Sequence, residues 1–244
     1  MHTVNNAQRL GEDSITSLLW KFSIPAIVGM LVHALYNVVD RIFIGRAVGS
    51  IGIAGISVAF PMMIIMMAFG MLIGLGANSL ISIRLGEQRK DTAEKVLGNA
   101  FVLFLIISFF LTAFGLVFLT PILKLFGASA EILPYSRDYL RIILRAAVFQ
   151  SIGFGMNNFI RGEGNPKTAM FTMLIGGFLN ILLDPIFIFS LGMGIRGAVI
   201  ETVISQAVSS VWVLSYFLGS RSLLKIHLRN FRLEKRIMTG IVAI

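Results

Sequence analysis

Residues 51–83, IGIAGISVAFPMMIIMMAFGMLIGLGANSLISI, contain no Asp, Glu, Lys or Arg. A helix needs about 20 mostly apolar residues to cross the ~30 Å hydrocarbon core of a bilayer. This stretch exceeds that length, so it predicts a membrane-spanning helix.

Similar apolar stretches recur along the chain, separated by short connections rich in charge or in Gly and Pro, such as residues 84–95 and 161–167. Together they predict an all-α membrane protein whose six-helix bundle occupies residues 17–219, after a cytoplasmic lead-in at residues 1–16. The six predicted spans are Ser17–Val39, Ile51–Ile83, Val96–Pro121, Tyr139–Ile160, Ala169–Phe189 and Ala198–Leu218.

The sequence after the sixth span has two parts. Residues 220–236 are basic, and we interpret them as a cytoplasmic linker near anionic headgroups rather than as a nucleic-acid site. Residues 237–244, IMTGIVAI, are apolar but too short to span. They are interpreted as the truncated start of a seventh helix, with a natural half-size protein as the alternative.

The composition excludes several classes of protein. Of the 244 residues, 56% are hydrophobic and only 14% are charged, and the mean hydropathy is +0.85. Soluble domains carry about 25% charged residues, so a typical cytosolic enzyme or a disordered chain is excluded. Cysteine is absent and there are three histidines, which argues against thiolate or multi-histidine metal centres. Since no catalytic motif is present either, we expect neither an enzyme nor a cofactor.

The distribution of positive charge predicts the orientation. Fourteen of the 21 lysines and arginines fall on the side that holds the N-terminus and the linker. Cytoplasmic loops carry the excess of Lys and Arg, so the N-terminus is predicted to be cytoplasmic, in the plasma (inner) membrane of a prokaryote. The seven on the other side are Arg41, Arg46, Lys124, Arg137, Arg141, Arg145 and Arg196.

Three acidic residues fall at membrane depth. Asp40 lies near the outer end of the first span, Asp184 six residues before Ser190, and Glu201 five residues after Arg196. At 1.5 Å per residue, all three acids reach the outer-leaflet half of the bilayer. Intramembrane carboxylates are costly and are therefore candidates for a functional site.

Polar residues accompany these acids: Tyr36 and Asn37 share the face of Asp40 on the first span, and Asn180 shares that of Asp184 on the fifth. On the sixth span, Thr202 follows Glu201 directly and shares a face with Gln206, four residues further on. A carboxylate in a low-dielectric site either takes a proton or holds a cation such as Na⁺, with amide and hydroxyl oxygens completing the shell. Both are reversible ion switches of the kind that secondary transport needs. The predicted ion-coupling residues, which are also the Na⁺ ligands if sodium is the ion, are Asp40, Asn180, Asp184 and Thr202.

Other interpretations compete for several of these residues. Asp40 could form an ion pair at the helix end with Arg41, and the favoured interpretation of Glu201 is an interfacial charge near Arg196. Met62 and Met66 could line a substrate cavity together with Tyr36, Asn37 and Gln206, although ordinary packing is the preferred interpretation of the methionines. Arg137, Arg141 and Arg145 either extend outward or pair with Asp138.

Several segments resemble the multidrug and toxic compound extrusion (MATE) family, in the right order over nearly the whole chain. The segments that carry the resemblance are Ile24-Pro25, Tyr36–Gly45 (YNVVDRIFIG), Arg161–Pro166 (RGEGNP), Asn180–Phe189 (NILLDPIFIF) and Gly197–Thr202 (GAVIET).

The resemblance implies a transporter of twelve helices in two six-helix lobes, of which this chain is the N-terminal one. In the bacterial and archaeal branch similar to DNA-damage-inducible protein F, it implies that Asp40 and Asp184 carry the coupling ion. Asn180 and Thr202 then match their polar partners, and Tyr36 matches a cavity neighbour. Glu201 has no counterpart in that pattern.

The leading expectation is a cation-coupled antiporter, using H⁺ or Na⁺, that exports amphiphilic and often cationic drugs and metabolites by alternating access. Its partners are these small molecules, the coupling ion, the lipid bilayer and a C-terminal lobe, without nucleic acid. The alternative is a flippase for lipid-linked oligosaccharides or related polyprenyl lipids, which predicts a strongly cationic cavity. Only Arg137, Arg141 and Arg145, around the start of the fourth predicted span, point to such a cavity.

Overall fold

The computed structural model describes residues 14–243, which form a bundle of helices without strands. The helices are α1 (Ile15–Val48), α2 (Ser50–Gly86), α3 (Lys90–Val117), α4 (Leu119–Leu125), α5 (Leu133–Arg145), α6 (Ala147–Gln150), α7 (Asn157–Gly162), α8 (Pro166–Pro185), α9 (Ile195–Leu218) and α10 (Lys235–Ala243). Two π-helical segments, Ser151–Gly155 and Ile186–Ser190, and a 3₁₀ turn, Leu228–Phe231, complete the regular structure.

Five helices of the described part are long and apolar enough to cross a membrane: α1, α2, α3, α8 with its π-helical extension to Ser190, and α9. Large apolar side chains cover their outer surfaces, and Phe109 and Phe178 are at least 70% exposed. A soluble protein rarely exposes so much apolar surface. This surface is suited to lipid, as the composition predicted.

The fourth predicted span differs from the expectation of one continuous helix over Tyr139–Ile160. The chain instead crosses the bundle here as α5, α6, a π-helical turn and α7, with a break at Ala146. A Cβ atom at Gly155 would overlap the ring of Phe104, so the π turn brings backbone against an aromatic side chain. A hydropathy pattern records apolar length but not this local requirement.

We call the two faces of the bundle the linker side, where α1 begins and α9 ends, and the opposite side. On the opposite side α1 passes into α2 through Gly49, whose φ of +79° is in the left-handed region that favours glycine. When the broken span α5–α7 is counted, consecutive spans therefore run in alternating directions. Asp40 consequently lies toward the opposite side, as do the last turns of α8 and the first turns of α9.

Helix α1 lies along α8 because glycines allow close approach. A Cβ atom at Gly29 would meet Met173 of α8, and one at Gly177 would come within 2.6 Å of Val32 on α1. Helix α9 approaches α8 in the same way, since a Cβ atom at Gly176 would lie 2.5 Å from the Ser209 hydroxyl. These contacts hold α1, α8 and α9 together as the scaffold of the candidate site.

The segment after α9 is fixed to the bundle by buried polar side chains. Asn99 donates to the carbonyls of Asn230 and Arg232 (3.2 Å each) and accepts from the Glu234 backbone N–H (2.8 Å). Glu94, also buried, accepts from the backbone N–H of Lys225 (3.1 Å). The predicted linker is thus a docked segment, and the helix after it begins at Lys235 rather than at residue 237.

Candidate functional site

Three carboxylates from three helices meet inside the bundle. Asp40 of α1, Asp184 of α8 and Glu201 of α9 each bring an oxygen to within 4.8 Å of the other two. Asp184 and Glu201 are completely buried, and Asp40 is 8% exposed. We call these three residues the carboxylate cluster. Within residues 14–243, no lysine, arginine or histidine forms an ion pair with any of them.

Asn180, a predicted site residue, connects α8 to Glu201 of α9. It lies one turn before Asp184 on α8, and its side-chain amide donates to both oxygens of Glu201, at 2.9 and 2.7 Å. The Thr202 hydroxyl lies 2.7 Å from Glu201 Oε1 and 2.9 Å from the Ala198 carbonyl, so its single proton serves one of these two acceptors. Glu201 is the carboxylate of the cluster that is held by hydrogen bonds.

The remaining oxygens of the site accept no hydrogen bond from the described residues. They are Asp40 Oδ1, both carboxylate oxygens of Asp184, and Asn180 Oδ1, all buried. Buried acceptors without partners are rare because each costs about 1–3 kcal/mol. Carboxylate and amide oxygens are the ligands that hard cations prefer, and a proton would serve the same oxygens. The arrangement can therefore bind a cation or protons reversibly.

The interpretation of Glu201 as an interfacial charge near Arg196 is wrong. Arg196 instead pairs with Asp138 of α5 (2.9 Å), at the exposed surface of the opposite side. Arg196 was favoured as the partner of Glu201 because the two are only five residues apart in sequence. In the structure, the first turns of α9 direct Glu201 into the bundle, away from Arg196. The ion pair between Asp40 and Arg41 is also not formed, since the Arg41 guanidinium lies over the Phe60 ring, 5.4 Å from its centroid.

The predicted cavity residues occupy different environments. Tyr36 lies against α8 near Gly177, and its ring contacts His33 edge-to-face at 4.8 Å. Asn37 donates to the His33 carbonyl on its own helix (2.7 Å), and Gln206 is partly exposed on α9. Their roles in a cavity stay predictions.

Met62 and Met66 of α2 are 3% and 4% exposed, and they pack with Ile44, Ile56 and Ala59 in an apolar core. In this conformation they fill the interior and line no open cavity. A role of these two methionines in binding a substrate also stays a prediction.

A second buried acid lies at the linker side, where sequence reasoning assigned no role to it. Four donors lie within hydrogen-bonding distance of Glu163, in the turn between α7 and α8: Ser222 Oγ (2.6 Å) and the Leu224 N–H (3.0 Å) at Oε1, and Tyr216 Oη (2.8 Å) and the Leu223 N–H (3.2 Å) at Oε2. The Ser222 hydroxyl also lies 2.6 Å from the Leu224 carbonyl, so its single proton serves one of these two acceptors. Burial raises the pKa of Glu163, and these four donors oppose that shift. We call this arrangement the Glu163 junction.

An all-α bundle of membrane-length helices with an acidic site at the meeting of three helices defines an integral membrane protein of the transporter class. The MatE family model matches residues 25–186, more than half of the chain. The protein belongs to the MatE family of multidrug transporters, and its fold is that of one lobe of such a transporter.

The relatives extend beyond this chain. The multidrug export protein MepA of Staphylococcus haemolyticus (strain JCSC1435) is 32% identical over 235 residues, which cover 96% of this chain and 52% of MepA. MepA of Staphylococcus aureus (strain MRSA252) is 29% identical over 225 residues, 91% of this chain and 49% of that protein. The chain spans about half the length of the curated relatives it matches.

Solved structures agree with this assignment. A structure described as the outward-facing conformation of a multidrug resistance MATE family transporter is 31% identical, with a TM-score of 0.87 over 92% of this chain and 50% of that one. A crystal structure of MATE in the bent conformation is 30% identical, with a TM-score of 0.89 over 99% of this chain and 53% of that one.

Proposed function

We propose that the chain forms one lobe of an exporter that couples the inward movement of H⁺ or Na⁺ to the export of amphiphilic, often cationic, organic compounds. The single observation that carries the proposal is the carboxylate cluster, with its buried oxygens that accept no hydrogen bond. The names of the MepA relatives support multidrug export as the activity. The linker side is then cytoplasmic, and the membrane is the plasma membrane of a prokaryote.

The cluster couples to transport through the helices that carry it. Asp40, Asp184 and Glu201 come from three different helices, so a cation or proton between them draws α1, α8 and α9 together. Losing the ion leaves like charges close together in a medium of low dielectric, which favours a different arrangement of these helices. Because the ion and the organic substrate favour different states, binding of one promotes release of the other.

The alternative of a lipid-linked oligosaccharide flippase finds less support. That function predicts a cationic cavity, but Arg137, Arg141 and Arg145 lie beside α3 and α4 and not among the residues of the carboxylate cluster. Arg141 follows the buried Tyr139 by two residues, so the two side chains lie about 160° apart around α5. Arg141 therefore lies on the face of α5 that is turned away from the buried Tyr139.

The test is efflux of a fluorescent organic cation from cells that express the gene product containing these residues. Asp40→Asn and Asp184→Asn should each lower the gradient-driven initial rate at least about tenfold, because each removes an ionisable group from the cluster. Asp138→Asn is the matched control: the same substitution at an exposed ion pair should leave the rate within about twofold. Proteoliposomes with an imposed Na⁺ or pH gradient then identify the ion. Undiminished efflux by both cluster variants would overturn the proposal.

A further inference from the structure

A pocket on the opposite side of the bundle combines positive charge with an apolar wall. It lies between the end of α3, the short helix α4 and one face of α5, and has a volume of about 300 Å³. Its lining residues are Leu116, Val117, Leu119, Thr120, Pro121, Arg137, Arg141 and Arg145. We call it the arginine pocket. It shares no residue with the carboxylate cluster or with the Glu163 junction.

The three arginines have no acidic partner in the part of the chain that the structure describes. The nearest acid in sequence is Asp138, and its carboxylate is engaged by Arg196 at 2.9 Å. None of the ion pairs or hydrogen bonds formed by residues 14–243 uses the guanidinium groups of Arg137, Arg141 or Arg145. Three positive charges therefore converge on one pocket without a counter-charge from the bundle.

The spacing of the arginines indicates the range of depth in the bilayer that the pocket covers. Arg137, Arg141 and Arg145 follow one another at intervals of four residues, so they form a stripe about 12 Å long on α5. The headgroup layer on each side of a bilayer is roughly 5–8 Å thick. The stripe thus begins near the start of α5, among the headgroups of the opposite side, and continues to the depth at which the acyl chains begin.

The apolar wall identifies the occupant as a lipid rather than a soluble anion. The pocket is lined by the apolar side chains of Leu116, Val117 and Pro121, and Val117 is 74% exposed on the surface suited to lipid. A free phosphate ion would gain nothing from them, whereas the acyl chains of a phospholipid would cover them while its phosphate lies against the arginines.

We propose that the arginine pocket binds the headgroup of an anionic phospholipid in the leaflet opposite the linker. Guanidinium groups bind phosphate oxygens through paired charge-assisted hydrogen bonds, and three of them on one stripe contact both the phosphate and a second polar group of the headgroup. The site is independent of the proposed ion coupling, since it stands on residues that the transport mechanism does not use.

The test measures retention of phospholipid by the purified gene product that contains this chain, using native mass spectrometry with added phosphatidylglycerol or phosphatidylcholine. Wild type should bind phosphatidylglycerol in clear preference. The double variant Arg141→Gln/Arg145→Gln should lower that affinity about 30-fold, from the usual contribution of a basic residue near anionic lipid. The matched control Arg84→Gln/Arg89→Gln removes two arginines of the linker side whose charge is already balanced by Glu87, and it should leave this binding unchanged.

A second variant keeps the test decisive. Arg141→Lys/Arg145→Lys retains the charge but loses the paired geometry, so it should bind with intermediate affinity and serves in place of the glutamine variant if that one does not fold. Equal binding of phosphatidylcholine, equal loss in the linker-side control, or unchanged affinity in the folded pocket variants would overturn the proposal. Displacement of the lipid by millimolar inorganic phosphate would overturn it in favour of a soluble-anion site.

Discussion

The Glu163 junction and the carboxylate cluster are both built from buried acids, yet they differ in how their oxygens are used. Each oxygen of Glu163 faces two N–H or hydroxyl donors, while the two oxygens of Asp184 face no such donor among the described residues. A buried carboxylate with all its acceptors occupied is fixed in place. One with free acceptors is available for a ligand. Burial alone therefore does not distinguish a structural acid from a functional one, but the count of partnered oxygens does.

The largest effect on stability is expected at the Glu163 junction. Glu163→Gln replaces one acceptor oxygen with an NH₂ group that faces existing donors, so it should lower the free energy of unfolding by about 2–4 kcal/mol. Thermal unfolding in detergent measures this loss of stability. The control Glu87→Gln alters an acid in a partly exposed ion pair with Arg84 (2.7 Å) and should cost at most about 1 kcal/mol. Equal losses in the two variants would contradict the distinction drawn here.

A second measurement asks whether the free oxygens of the cluster take a ligand. Adding the coupling ion, as sodium against potassium at equal ionic strength or as acidification, should stabilise wild type by about 2–3 kcal/mol near 100-fold excess over the dissociation constant. The gain should vanish in Asp184→Asn and persist in Glu163→Gln. If both variants lose it, the two regions act as one site.

A smaller effect is expected where the docked linker meets α3. A Cβ atom at Gly98 would lie 2.5 Å from the Asn230 carbonyl, so Gly98→Ala should destabilise by about 1–2 kcal/mol although alanine favours helices. Gly70→Ala in α2 is the control, because nothing lies within 4 Å of the added atom there. Unfolding midpoints of the two variants compare them directly, and a stabilised Gly98→Ala would show that the linker is not docked as described.

The smallest change in stability is expected from Asp184→Asn without added ion. The Asp184 carboxyl accepts no hydrogen bond from an N–H or hydroxyl donor of the described residues, and the substitution removes one of three neighbouring carboxyl groups. The free energy of unfolding should stay within about 1 kcal/mol of wild type, or rise. The same unfolding assay checks this, and a loss as large as that of Glu163→Gln would mean that Asp184 is a structural acid after all.

The sequence predicted most of the fold because membrane-spanning helices leave a strong local signal. The long apolar stretch 51–83 lies within α2, and the polar stripe on α1 carries Asp40 into the bundle as its spacing indicated. The break at Ala146 and the π turn Ser151–Gly155 were missed, since hydropathy records apolar length and not local helix geometry. Helix α8 ends at Pro185 and continues as a π turn, in keeping with the proline that interrupts its hydrogen bonds.

The site was only partly predictable, because its decisive contacts join distant parts of the chain. Equal depth along three helices predicted that Asp40, Asp184 and Glu201 would lie at one level. It did not show that Glu201 would turn inward, because the sequence did not reveal that Asp138 pairs with Arg196. For Glu163, the partners follow it by 53–61 residues, so nothing near RGEGNP revealed them. Contacts of that range follow from tertiary packing and leave no periodic pattern in the sequence.

The docking of the segment after α9 has a consequence for hydrogen exchange. The backbone amides of Leu224, Lys225 and Glu234 donate to buried side chains of the bundle, so they open only when the bundle itself opens there. These amides should exchange with deuterium as slowly as those of the neighbouring helix ends, and not at the rate of a free tether. In the proposed transport cycle, residues 221–234 are therefore expected to move together with the lobe.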